Sequence, residues 1–300
     1  MNRKINQLID FLSIENHFKV YSSFFRLFIC FHLLKDIYYY WDYIPIIYAN
    51  SSFYSSQPTY LLELLGLSSN LVRNNINIFI PVYIFLIGMY AFGVGRYFTA
   101  VLLFLCFEII QRLCHVILNG GDNLMKFCLL YMVLIDSYRY FSLTKARSIK
   151  FSSYRNFISN IGGYLICIHT CIVYFFSAAH KIHADVWFNG IATYYTFLLE
   201  RFKGTGLNDH LGRNGFFVTV TTYATLLIEI SYPFLVWFRQ TKLPVIICAV
   251  LMHISIYVFM MIYDFQIVFI AVQGFFISNA LWYQWYNRAK LKVSSIWKTK

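Results

Sequence analysis

Four residues able to do chemistry, His180, Lys181, His183 and Asp185, stand within six positions at the end of a long apolar run, with Trp187 just beyond. Partial withdrawal from water favours the neutral amine of a lysine, which is a base. A base at a membrane surface suits a lipid-soluble acid such as a quinol. The same lysine can instead snorkel to headgroups and steady the end of its helix through the dipole. His180 and His183 have the i, i+3 spacing of paired ligands on a helix, with Asp185 nearby, but no third ligand is adjacent and no metal is expected. Both histidines otherwise read as interfacial polar residues.

Other ionisable groups are scattered through apolar stretches, where they are costly and turn inward to find partners. Arg26, His32, Lys35 and Asp36 share the first such stretch. Arg26 is near enough to a span end to snorkel. Glu108, Arg112 and His115 fall at i, i+4 and i+7 on one helix face, and the first two read as an intrahelical ion pair. Asp122, in the turn of Asn119, Gly120 and Gly121, reads either as a helix cap or as a ligand contact. His169 reads as a buried histidine. Glu229, four residues before Pro233, and His253, near the middle of its stretch, must each find a partner and are candidates to line a cavity.

The elements that must hold these groups are transmembrane helices. Hydrophobic residues make up 59% of the 300 and charged residues only 13%, against roughly 25% charged in soluble domains. Runs near 21–41, 76–93, 97–118, 123–141, 160–180, 216–238, 244–262 and 265–284 approach the ~20 residues needed to cross a bilayer. They are too long and continuous for barrel strands. The expected fold class is all-α, a single polytopic bundle of about eight transmembrane helices over residues 1–300. The 123–141 run is interrupted by Lys126, Asp136 and Arg139. A P-loop, GxGxxG, GxSxG and HExxH are all absent from the sequence.

The net charge of +12 is an orientation signal rather than a nucleic-acid surface. With the N-terminus placed inside, external segments keep only Arg73, Lys181, Arg201, Lys203 and Arg213, and the other Lys and Arg outside the spans face the cytoplasm. That pattern puts both termini in the cytoplasm of a multi-pass plasma membrane protein, with membrane lipids as partners. Ile5, Leu8, Ile9 and Leu12 form a stripe that predicts an interfacial helix within residues 1–20. No cleavable leader is expected, because the first apolar run starts late and is too long for a signal core. Residues 42–75 read as an external loop with an apolar patch at 61–67, and 142–159 as a basic cytoplasmic loop. Residues 181–215 read as the main external region and 285–300 as a basic cytoplasmic tail. The seven cysteines lie in apolar runs without CxxC spacing and read as small hydrophobes.

The same residues carry a family likeness. It runs through SFFRLFICFHLLKD (23–36), NGGDNL (119–124), YFFSAAHKIHADVWFNGIATYY (174–195), LLIEISYPF (226–234) and LMHISIY (251–257). The chain resembles the HTTM (horizontally transferred transmembrane) family, whose membrane domain is shared with vitamin K-dependent gamma-carboxylase. In the carboxylase, the segment similar to 179–190 holds the lysine regarded as the base acting on reduced vitamin K, and Lys181 stands at that position. Oxygenation of the deprotonated quinol there yields the epoxide and a strong base, coupled to carboxylation of glutamate. A histidine in the segment similar to 251–257 matches His253.

The resemblance thus implies Lys181 and His253 as catalytic residues acting on reduced vitamin K or another quinol. His180, Trp187, Tyr195, Glu229, His115 and Asp122 are the candidate substrate contacts on the reading of the residues themselves. The carboxylase's large lumenal region has no counterpart in the sequence, so a pocket for a lipophilic small molecule carries over better than protein carboxylation. The chain is also similar to the membrane protein that helps mature the sporulation-delaying peptide toxin of bacilli. That likeness implies an alternative: a non-enzymatic component for maturation, export or immunity of a small secreted peptide, working with that peptide or a partner membrane protein.

Overall fold

A computed structural model describes residues 2–49, 66, 69–114, 117–144 and 152–298. Every regular element among them is helical. In chain order the α-helices are α1 (Asn2–Ile14), α2 (Lys19–Tyr39), α3 (Ser69–Asn74), α4 (Ile76–Ala91), α5 (Tyr97–Leu113), α6 (Gly120–Met132) and α7 (Ser152–Ile182). They continue as α8 (Asp185–Phe188), α9 (Ala192–Leu198), α10 (Leu207–Gly212), α11 (Gly215–Leu235), α12 (Lys242–Met260), α13 (Tyr263–Val272) and α14 (Asn279–Lys298). Three of these, α7, α11 and α12, are long and apolar enough to cross a membrane; α4 is apolar but shorter. The expected patch at 61–67, Gly66 excepted, lies outside the described residues, as does His115.

The chain forms two compact units. One comprises residues 1–164 and 277–300, the other residues 165–276, so the boundary falls inside α7. In the first unit α2 packs on α4, α4 on α5 and α5 on α6, while α14 packs on α2. Its centre is closed by Phe25, Ile29, Leu33, Ile87 and Leu103, none of them more than 2% exposed.

Arg26 does not snorkel. It is fully buried on α2, and its guanidinium donates to the carbonyls of Tyr90 and Ala91 at 2.6 and 2.7 Å and of Tyr140 and Phe141 at 3.1 and 2.7 Å. The first two are last-turn carbonyls of α4, of which Tyr90 also accepts from the Gly93 N–H at 3.0 Å. One planar fork therefore ties a helix end to a distant loop. Gly93, at φ +70, makes room for this: a Cβ there would lie 2.2 Å from Ser142 Oγ and 3.2 Å from the Arg26 Nη1.

The amphipathic N-terminal helix appears as α1, and it is pinned. Asn156 Nδ2 donates to the carbonyls of Ser13 and Ile14, and Asn160 Nδ2 to those of Leu12 and Glu15. These side chains satisfy the α1 C-terminus from α7, which begins at Ser152, within the stretch expected to be a cytoplasmic loop. Two further expected spans are corrected. The 123–141 run stays helical only to Met132, because Asp136 turns inward to Ser159 and three arginines. The 265–284 run breaks between Phe276 and Asn279, where the carbonyl of Ser278 starts α14 by accepting from Leu281 and Trp282. The basic tail is itself helical through Lys298.

Candidate functional site

The second unit contains the site. On α7, Tyr174, Ser177 and Lys181 fall at i, i+3 and i+7 and so share a face. On α11, Glu229 and Tyr232 do the same at i and i+3. The two faces meet at two levels. Lys181 Nζ donates to Glu229 Oε1, and also to Ser177 Oγ at 3.0 Å. One level along, the Tyr174 and Tyr232 rings stack with centroids 4.2 Å apart. The lysine side chain is 24% exposed and the glutamate 7%. Glu229 Oε2 is buried with no hydrogen-bond partner. Pro233, four residues on, has no N–H to give to the Glu229 carbonyl.

A buried polar chain continues from the tyrosines. Tyr232 donates its hydroxyl to Gln273 Oε1, and Gln273 Nε2 donates to the Tyr174 oxygen at 3.2 Å. The Tyr174 hydroxyl lies 2.6 Å from His253 Nε2, and His253 Nδ1 meets Gln266 Oε1. An amide oxygen only accepts, which assigns the proton to Nδ1 and makes Nε2 the acceptor of the tyrosine hydroxyl. All donors along the chain then point the same way, from Tyr232 toward Gln266. Aligned hydrogen bonds in a dry interior polarise one another.

Gln266 and Lys181 both line a cavity of about 590 Å³, a size usual for small-molecule sites. Most of the wall is apolar, with Phe197, Phe217, Leu251 and Phe259 among the lining residues. The wall hydroxyls offer little more. Thr221, Thr225 and Ser255 each donate to the carbonyl four residues earlier, and Thr196 donates to Ala192 in the same way. Their donors are spent on the helix, which leaves these hydroxyls only acceptor capacity. Trp187 covers the amine, with its ring centre 5.0 Å from Lys181 Nζ.

A tight loop packs on the end of α12. Gly204 N donates to the Phe259 carbonyl at 3.0 Å and Asn208 Nδ2 to the same carbonyl at 2.7 Å. A Cβ at Gly204 would lie 2.4 Å from the Val258 carbonyl oxygen, so only glycine fits. Lys203 holds Asp209 at 2.7 Å and Glu200 at 3.2 Å. The bonds to those carboxylates, Asp209 foremost, raise its pKa above the ordinary lysine value.

The structure thus brings together Lys181, Glu229 and Trp187, with His253 one residue back from the cavity through Gln266. Two expected contacts of this unit stay out of it. His180 is exposed, and Tyr195 is 52% exposed and packs on the ring of Tyr194. Asp122 belongs to the first unit, where it completes a capping box: Asn119 Oδ1 accepts from Gly121 and Asp122 N–H, and Asp122 Oδ2 accepts from Asn119 N–H. In that unit Glu108 and Arg112 form their ion pair at 2.8 Å. His180, His183 and Asp185 do not gather as three metal ligands. Tyr174, Gln266 and Gln273 went unnoticed in the sequence because they are uncharged. The signal was available: Tyr174 sits seven residues before Lys181, and the two glutamines are seven apart in an apolar run.

No family model, curated protein or solved structure matches the chain.

Proposed function

We propose that this chain is a multi-pass membrane protein of HTTM type, with both termini cytoplasmic, that holds a lipophilic molecule bearing an acidic hydroxyl and takes its proton at the Lys181–Glu229 pair. The membrane reading is supported by α11 and α12, whose most apolar windows are only 22% buried. Bare apolar faces of that extent suit lipid rather than water. Reduced vitamin K and related hydroquinones form the substrate class favoured by the motif around Lys181.

The observation that carries this reading is the Lys181 amine, which lines an apolar cavity and is ion-paired with the buried carboxylate of Glu229 behind it. A hydroquinone fits this wall, and when bound it supplies an acidic hydroxyl and reducing electrons. The hydroxyl meets the Lys181–Glu229 pair at Lys181 Nζ, the member of the pair that lines the cavity, and gives its proton to the pair there. His253 holds Gln266 in orientation from behind the wall, and Trp187 keeps water from the amine.

Mass spectrometry of lipids retained after mild purification, with assay of quinol consumption, tests the proposal. A bound quinone and loss of quinol-dependent turnover in Lys181→Ala, at normal expression, are expected. Unchanged turnover in that variant overturns the assignment, and a retained small peptide in place of a lipid directs the function to peptide maturation.

A further inference from the structure

The first unit holds an arginine cluster unrelated to the cavity. Asp136 is 2% exposed, and it faces three guanidinium groups. Arg96 Nη2 donates to Oδ1 at 2.9 Å, while Arg155 Nε and Arg139 Nε lie 3.0 and 3.7 Å from Oδ2. The Arg96 and Arg155 side chains are only 15% and 17% exposed. Three cations share one anion, which leaves an excess of positive charge in a poorly hydrated place.

The donor count makes the same point. Each guanidinium carries about five N–H donors, against about four lone-pair sites on a carboxylate. The Nε of Arg96 is buried without a hydrogen-bond acceptor. Arg155 also lies in the first turn of α7, at the positive end of the helix dipole, where a cation is disfavoured. Arg96 reaches the cluster from a backbone at φ 49, a left-handed conformation that costs a non-glycine residue free energy. Its guanidinium also packs 5.2 Å from the ring centre of Tyr138. Arg139, the outermost of the three, is solvent-exposed and held most loosely.

We propose that Arg96, Arg139 and Arg155 form a binding site for a phosphate group. A doubly charged phosphomonoester would offset the excess charge and accept bidentate bonds from the planar forks. Such a group has two sources, an anionic lipid headgroup and a soluble phosphate.

The purified full-length protein in neutral detergent is titrated with dioctanoyl phosphatidic acid, dioctanoyl phosphatidylcholine and inorganic phosphate, with the thermal midpoint as readout. A ligand that binds only the folded state raises that midpoint with concentration. Phosphatidic acid is expected to raise it and phosphatidylcholine to leave it unchanged. A rise with inorganic phosphate as well identifies a soluble phosphate as sufficient, and a rise with phosphatidic acid alone identifies the lipid. Arg139→Gln is expected to weaken binding about tenfold or more. Arg239→Gln, which removes an exposed charge in the other unit, is expected to leave binding unchanged. Arg139→Lys keeps the charge but not the fork, serves if the glutamine variant fails to fold, and is expected to weaken binding too. Equal binding by the Arg139 and Arg239 variants, equal response to phosphatidylcholine, or no response to any ligand overturns the proposal.

Discussion

The hydroxyl of Tyr174 meets Nε2 of His253 at 2.6 Å, joining α7 to α12 across 79 residues of chain. Because Nδ1 of the same ring faces the amide oxygen of Gln266, the imidazole has one tautomer and one orientation. Tyr174→Phe keeps the ring stacked on Tyr232 but leaves Nε2 buried and unmatched. The expected cost is about 1–3 kcal/mol of stability, the usual penalty for an orphaned buried polar atom. Chemical denaturation in detergent measures it, and a loss below about 0.5 kcal/mol would show that the bond contributes nothing.

The Lys181–Glu229 pair predicts strong coupling between two substitutions. Lys181→Met leaves a carboxylate that is 7% exposed without its cation, whereas Glu229→Gln leaves an amine that is 24% exposed and can turn toward the cavity. Breaking one side of a buried pair costs about 3–5 kcal/mol, and the lysine variant should be the more damaged of the two. The double variant should be less destabilised than the sum of the singles, because neither charge is then stranded. Strict additivity in a double-mutant cycle would mean the two groups do not interact in solution.

Helices were legible in the sequence as apolar runs, although the 123–141 run ends its helix at Met132 and the 265–284 run breaks before Asn279. Lys181, Glu229 and His253 were legible too, since charge or imidazole inside such a run demands a partner. Which partner was not. Lys181 and Glu229 are 48 residues apart, and the Arg26 carbonyl partners are 64 to 115 residues away, so only the fold brings them together. The break before α14 was hidden because hydropathy averages over Ser278 and Asn279, whose side chains favour helix starts. Neutral relay residues escaped for a related reason: a phenol or amide barely changes the hydropathy of a window, yet in a dry interior it must bond.

Arg26 should be irreplaceable by lysine. Its fork reaches four carbonyls on two chain segments, and an ammonium on a flexible stem has only three donors at one point. Arg26→Lys is therefore expected to free the 140–144 loop from the end of α4 and to lower stability by about 2 kcal/mol or more. Hydrogen exchange should show the loss of protection at Leu143, whose N–H donates to the Phe92 carbonyl at 2.9 Å. Wild-type protection in that loop would show that the guanidinium does not hold it.

His17 predicts an acid-sensitive step at the α1–α7 contact. Its ring lies 3.2 Å from the Tyr164 hydroxyl and packs on Phe11 with centroids 4.4 Å apart, and burial pushes its pKa below the usual histidine value. As pH falls below about 6.5, the unfolded chain takes up the proton while the folded chain resists it. Stability is therefore full above that pH and declines as pH falls, levelling off only once the lower folded-state pKa is passed. His17→Gln, which does not titrate, should show a shallower decline between about pH 7 and 5. Parallel profiles for the two proteins, measured as denaturation midpoints across that range, would assign the acid sensitivity elsewhere and release His17 from any part in it.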